Sequence, residues 1–325
     1  MTLDKKDFQI IYQLDQDCRR SLTQIAKKVR LHRNVVEYRI KKMETDGVIR
    51  GYYTQINTMA LGYITFRIFI NISNANSEQE KALITFLKKD MHTIWFFRVQ
   101  GKWDFDVLLV AKNLFEVDKF LEEFQIKFNH LIEDKNVALF SKIYDLPKDY
   151  LIGKKEREFG KNIFKPLGRI SLNVDEINIL KALSNDARIK IIDLAKKTKL
   201  SINTTKKIIK DLVKKQAIFG FRPFIDTAKS GYQYHKIHIN LRRYTASDFT
   251  KIKSWLEINP NIISINNLIN GDDLEVEIHL SSEQELNEFI LMLKKEFGQI
   301  IKDSFVIQFT EEFVFRYLPE DINIE

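Results

Sequence analysis

The sequence predicts an α+β chain in which one two-domain unit is written twice: a winged helix-turn-helix, then a ferredoxin-like βαββαβ domain. Three observations predict it. Residues 21–52 carry two short helical periods around a tight turn, the second with a basic face. From Tyr63 the apolar period switches to that of half-buried strands. The whole pattern then recurs about 169 residues later, without a gap.

Leu3 to Leu14 reads as the first helix, with Phe8, Ile11 and Tyr12 on one side. Ser21 and Gln24 form the reciprocal cap of a second helix, whose Leu22, Ile25, Ala26 and Val29 share one face. A third helix starts near His32 or Arg33 and buries Val36, Ile40 and Met43. Its other face carries Arg33, Asn34, Tyr38, Arg39 and Lys42, the residue types that read a major groove. Gly47 supplies the left-handed cap, and Val48 to Ile56 reads as an extended segment or wing.

Beyond Tyr63, Ile64, Phe66, Ile68 and Ile70 alternate as a strand, and Ser77 to Asp90 is a helix. Ile94 to Val99 and Phe105 to Val110 are strands joined by a short turn. Phe115 to Phe128 is a helix and Val137 to Tyr144 the last strand, completing the split-βαβ order. Pro147 to Arg169 is a lysine-rich joint, broken by Gly153, Gly160, Pro166 and Gly168, long enough to serve as an extended spacer. The expected domains are 1–60, 61–147, a linker at 148–169, 170–229 and 230–325.

The repeat is read residue against residue. Asp17 falls on Asp186, Arg19 on Arg188, Ala26-Lys27-Lys28 on Ala195-Lys196-Lys197, Asn34 on Asn203, and Gly62-Tyr63 on Gly231-Tyr232. The match is too long for chance.

Composition sets the bounds. A net charge of +8 favours a polyanionic partner, although a solvated lysine-rich surface gives the same total. The single cysteine, Cys18, excludes an internal disulfide and a multi-Cys zinc site, and reads as a packing residue. His235 and His238 are three apart in a strand and point to opposite faces, so they do not chelate one metal from it. With no apolar signal core, membrane span or Gly-rich phosphate loop, the expectation is a cytoplasmic protein with no cofactor, no metal and no catalytic site.

The runs Ala26-Lys27-Lys28-Val29, Arg39-Ile40-Lys41-Lys42-Met43-Glu44 and Gly47-Val48-Ile49-Arg50-Gly51-Tyr52 resemble the Lrp/AsnC transcription regulators. The resemblance covers nearly all of both halves and implies a DNA-reading domain followed by a ligand-sensing one. The tandem is unusual, since such proteins ordinarily carry one unit and pair with another chain. Here the expectation is a pseudo-dimer within the chain, or a homo-oligomer through the ferredoxin-like domains. Both halves depart from the family pattern. Arg30 and His32 stand where a turn Gly and a capping Ser are usual, Ile208 replaces the counterpart of Arg39, and Gln216 that of Gly47.

Residues 21–50 hold about eight basic against three acidic side chains, and 190–222 about ten against two. Arg33 and Asn34 are the expected base readers of the first unit, with Asn203, Thr204 and Lys207 in the second. Lys42, Arg50, Lys206 and Lys210 suit phosphates, while Tyr38 and Arg39 share the first reading face. By resemblance, the turn from Gly101 to Asp104, with Gly271 and Asp273 in its counterpart, implies an effector pocket for an amino-acid-like molecule. A β-turn asks for the same residue types without any ligand.

The expected function is a sequence-specific transcription regulator on double-stranded DNA with two unlike readers. Two alternatives stand beside it. The tetrapyrrole decarboxylases that act on sirohaem resemble the same two-domain plan, with His235 or His238 as proton donors. A non-specific architectural protein would bind DNA by charge alone.

Overall fold

The computed structural model describes residues 2–155, 161–166, 168 and 170–318. Gly160 and Arg169, read as part of the joint, lie outside the described residues. The first unit opens with α1 (Lys5–Gln16), α2 (Leu22–Val29), α3 (Arg33–Thr45) and β1 (Ile49–Ile56). Asp4 and Asp7 cap α1 reciprocally, Ser21 and Gln24 do the same for α2, and His32 caps α3 through its ring nitrogen. Next come β2 (Ile64–Ile72), α4 (Ser77–Lys89), β3 (Thr93–Gln100), β4 (Phe105–Ala111), α5 (Leu114–Phe128) and β5 (Ile132–Asp145). A short strand, β6 (Asn162–Phe164), leads into the second unit.

That unit repeats the order. It comprises α6 (Val174–Asn185), α7 (Ile191–Thr198), α8 (Ile202–Lys214), β7 (Ile218–Ile225), β8 (Gln233–Leu241), α9 (Ala246–Ile258), β9 (Ile262–Ile269), β10 (Leu274–Leu280), α10 (Glu283–Phe297) and β11 (Ile301–Phe315). The backbone repeats as faithfully as the sequence. Left-handed residues recur in pairs: Arg30 with Lys199, Gly47 with Gln216, Gly62 with Gly231, Asn74 with Arg243 and Gly101 with Asn270. Where the second half lacks glycine, Gln216 and Asn270 hold the left-handed conformation with a side chain.

Each ferredoxin-like half supplies a four-stranded antiparallel sheet, and each sheet pairs both of its edges with the other. Strand β3 pairs with β11 and β9 pairs with β5. The register is two-fold: Val99 opposes Phe309, and their counterparts Leu268 and Phe140 oppose each other. Among the described residues, eight strands therefore close into a barrel, and the short β6 adds to the far end of β5, Ile143 to Asp145. The outer faces carry α4 and α5 on one half and α9 and α10 on the other, over the apolar layers of alternate strand residues.

The inward-facing alternates are not all apolar. Arg67 on β2, Asp106 on β4, Lys236 on β8, and Glu275 and Glu277 on β10 are almost fully buried at the barrel centre. Arg67 and Lys236 are counterparts under the repeat, as are Asp106 and Glu275. Arg67 Nε lies 2.9 Å from Asp106 and a guanidinium nitrogen contacts Glu275; Lys236 Nζ lies 2.5 Å from Asp106 and 3.5 Å from Glu277. Burial by itself would discharge Arg67, but the three carboxylates around it outweigh that and raise its pKa. Phe140, Phe69 and Phe309 face these cations at 4.7 to 5.5 Å from ring centre to charge.

The extended segment expected from Val48 to Ile56 is strand β1, and it pairs antiparallel with β7 of the other unit. Tyr53 opposes its own counterpart Arg222, which places the pseudo-two-fold axis through this ribbon. The described part of the joint packs on the first unit: Lys148 pairs with Asp15 at 2.7 Å, the Tyr12 hydroxyl donates to Asp149 at 2.9 Å, and Tyr150, Leu151 and Phe164 are buried. One apolar core consequently runs through both helix-turn-helix units.

The central cluster generates a stability prediction. Lys236→Met leaves three buried carboxylates with one cation, and should cost about 3–5 kcal/mol in urea unfolding. A cost under about 1 kcal/mol would contradict a tightly coupled ion cluster.

Candidate nucleic-acid interface

The two candidate reading helices are α3 and α8. Each enters from a left-handed residue, Arg30 or Lys199, so the preceding helix turns sharply into it. Ser201 caps α8 by accepting from the Thr204 N–H at 3.1 Å, whereas His32 accepts from the Asn34 N–H at 3.4 Å, a longer and weaker bond. Val36, Ile40 and Met43 anchor α3, and Thr205, Ile208 and Leu212 anchor α8. The opposite faces are solvent-exposed.

On α3 that exposed face presents Arg33, Asn34, Tyr38 and Lys42. Arg33 is held only loosely, 3.9 Å from Glu37 one turn on. On α8 it presents Asn203, Thr204, Lys206, Lys207 and Lys210. The structure thus gathers nine of the expected residues on two exposed helix faces.

Two expected DNA contacts are placed elsewhere. Arg39 turns back to α1, with one guanidinium nitrogen 2.8 Å from both Asp4 and Asp7; their hydrogen bonds raise its pKa. It clamps the third helix to the first. Ile208 fills the same position in α8 as an apolar contact, and there Glu176 pairs with Lys215 instead, at 2.6 Å. Arg50 lies on the ribbon, 2.7 Å from Glu312 and stacked 4.0 Å over the Phe224 ring, away from the face of α3.

The four expected effector residues build turns. A side chain on Gly101 would meet the Val306 carbonyl at 2.6 Å, and one on Gly271 would press Ala138 and Leu268 at 3.1 Å. Each turn therefore closes against the other half of the barrel. The Asp104 carboxylate accepts from the Ile72 N–H, and its counterpart Asp273 accepts from the Leu241 N–H. The two turns close against different seams, yet they meet through Lys102 of the first: against the cost of burial, its charge joins His238 and Asn240 in holding the Asp272 carboxyl of the second below its ordinary range.

Sequence reasoning missed the interior. Its signal was a charge at inward positions of apolar alternation, in Thr65-Phe66-Arg67-Ile68 and again in His235-Lys236-Ile237 at the same shift. His235 and His238 do face opposite sides. His238 is buried inside, with Nδ1 2.7 Å from Asp272. Together with Glu275 these residues bring ligand-type atoms within 4.8 Å of one another. Arg67 and Lys236 beside Glu275 already supply the positive charge a metal ion would bring.

Next to the cluster, a cavity of about 390 Å³ opens between the barrel interior and the ribbon. Arg67, Trp95, Tyr234, Glu277 and Phe309 line its barrel side; Tyr53, Arg222 and Phe224 line its roof. His279 stands in its wall, with Nδ1 2.7 Å from the Tyr150 hydroxyl. Burial, aided by the Lys148 charge, pushes the His279 pKa down to about 3. Among the described residues no helix is long and apolar enough to cross a membrane.

Comparison with known proteins agrees with this geometry. Residues 3–44 match the AsnC-type helix-turn-helix domain, and residues 176–218 match a winged helix-turn-helix DNA-binding domain. An uncharacterised HTH-type transcriptional regulator of Pyrococcus furiosus is 30% identical over 122 residues, covering 38% of this chain and 81% of that protein. The DNA-binding transcriptional activator DecR of Escherichia coli is 26% identical over 119 residues, 36% of this chain and 78% of DecR. The siroheme decarboxylase NirDL aligns over 98% of this chain and 95% of its own, with a TM-score of 0.63 and 10% identity. That likeness shows a shared fold, the two-unit architecture included.

The buried histidine sets a pH dependence. Neutral when folded, with its pKa near 3 against an ordinary 6.5, His279 takes up a proton on unfolding between those values. Stability from this group is full above pH 6.5 and is lost as pH falls toward 3, by up to about 1.4 kcal/mol per pH unit. His279→Gln should flatten the fall in urea midpoint between pH 6.5 and 4. An unchanged slope would contradict a buried neutral histidine.

Proposed function

The chain belongs to the Lrp/AsnC family of transcription regulators, and from that premise we propose that it binds DNA sequence-specifically through two unlike readers. The observation that carries this reading is the pair of exposed basic faces, on α3 and α8, held by one inter-unit ribbon. Each face pairs base-reading residue types at the helix start with lysines further along. Arg33 suits guanine and Asn34 adenine in the first reader, with Asn203, Thr204 and Lys207 in the second. Lys42, Lys206 and Lys210 suit phosphates. Arg39 and Arg50 act by holding the reader and the ribbon in place.

Closure of the barrel within the chain supports an intramolecular pseudo-dimer as the DNA-binding body. In this reading a small-molecule effector shifts DNA affinity by favouring one arrangement of the two readers. The decarboxylase alternative has the shared fold of NirDL in its favour, but the fold does not carry the chemistry. The architectural alternative differs from the favoured one in sequence discrimination.

Binding to DNA selected from a random pool, competed with bulk DNA at fixed salt, tests the proposal. Selected DNA should win by at least about 10³-fold. Asn34→Ala should cost about 1–3 kcal/mol on selected DNA and relax preference there, and Asn203→Ala should do so at a different position. Lys210→Ala should weaken all sequences alike and lower the salt slope by about one. Equal affinity for selected and bulk DNA would overturn sequence-specific reading.

A further inference from the structure

The cavity under the ribbon contains polar groups that the folded chain leaves unanswered. The Trp95 indole N–H, the Thr65 hydroxyl and His279 Nε2 are all buried and without a hydrogen-bond partner among the described residues, and all three residues line the cavity. Buried polar groups ordinarily have partners, so three around one space point to a ligand that supplies them. Their chemistry gives its polarity. The indole nitrogen only donates. His279 Nδ1 lies 2.7 Å from the Tyr150 hydroxyl, and in the tautomer in which that hydroxyl donates the neutral ring carries its proton on Nε2 and is a donor there as well. The Thr65 hydroxyl turns to suit. The site therefore asks for an acceptor.

The walls define the rest of the ligand. Trp95, Phe140 and Phe309 face it from the barrel, and Tyr53, Phe224 and Tyr317 from the ribbon side, giving flat apolar surfaces suited to stacking. Charges in the lining are already matched. Arg222 is paired with Asp145 at 2.8 Å, Arg50 with Glu312, Lys148 with Asp15, and Glu277 accepts from the Tyr234 hydroxyl at 2.6 Å. Among the described residues these pairs leave little positive charge for a multiply charged anion, and an ammonium would meet donors. A volume of about 390 Å³ suits a small metabolite.

We propose that this cavity binds a planar aromatic molecule of metabolite size bearing one carboxylate, and that this molecule is the effector of the regulator. The carboxylate accepts from Trp95, Thr65 and His279, and the ring stacks between barrel and ribbon. Because β1 and β7 each leave a reading unit and together roof the cavity, occupancy is felt where the two readers are joined. The binding site stands on the cavity alone; the effect on DNA rests on the function proposed above.

Calorimetry on the full chain tests it, with indole-3-acetate and phenylacetate as probes and with indole and L-leucine as controls. The aryl carboxylates should bind at one site per chain, indole at least about tenfold more weakly, and L-leucine not at all. Thr65→Val keeps the shape and removes a hydroxyl, Trp95→Phe removes the indole donor together with part of its ring, and each should weaken binding about three- to tenfold. Both variants remove a buried unpaired group, so an unchanged unfolding midpoint confirms an intact fold. The site is overturned if no aryl carboxylate binds, if indole binds equally well, if L-leucine binds, or if affinity ignores both substitutions. DNA affinity is measured with and without probe in the same preparation. Probe binding that leaves DNA affinity unchanged overturns the effector role, whereas a chain that binds probe and no DNA contradicts the regulator reading instead.

Discussion

A four-stranded sheet in water has two open edges, and here both pairs of edges are satisfied by the other half of the same chain. The rest of the structure depends on that pairing. It encloses the inner faces of both sheets, which is why charged residues on them must find partners inside. It aligns the two copies about one axis, so β1 and β7 meet as a ribbon rather than as separate wings. Through the ribbon it holds the two reading units as one body with a common core.

Much of this was legible in the sequence because repetition reports itself. A shift of about 169 residues recovered both units and their order, and the left-handed cap at Gly47 was read from the residue itself. Hydrophobic alternation found each strand of the first half to within a few residues. Pairing between halves was not legible, since alternation marks a strand without naming its neighbour. For the same reason the partner of β1 was not legible, nor was the burial of Tyr150 and Leu151 in the joint.

The site was legible in part, and the misses share a cause. Arg33, Asn34, Lys207 and Lys210 are exposed because helical period alone sets their face. Arg39 and Arg50 were assigned by charge, but their orientation is fixed by Asp4, Asp7 and Glu312, one distant by more than two hundred residues. The interior cluster was passed over because a single charge in an apolar strand looks like an edge residue until the barrel is closed. The halves diverge at one such contact. Ile208 in place of Arg39 changes how α8 is held, and leaves its exposed face free to differ from that of α3.

The central claim is that one chain presents two unlike readers fixed in a single body. Nuclease protection of individually selected DNA sites by the full chain tests it most directly. The expected result is two unlike half-sites on one face of the duplex, separated by whole helical turns and bound in one orientation. Protection of perfectly palindromic sites, with both arms alike, would contradict it.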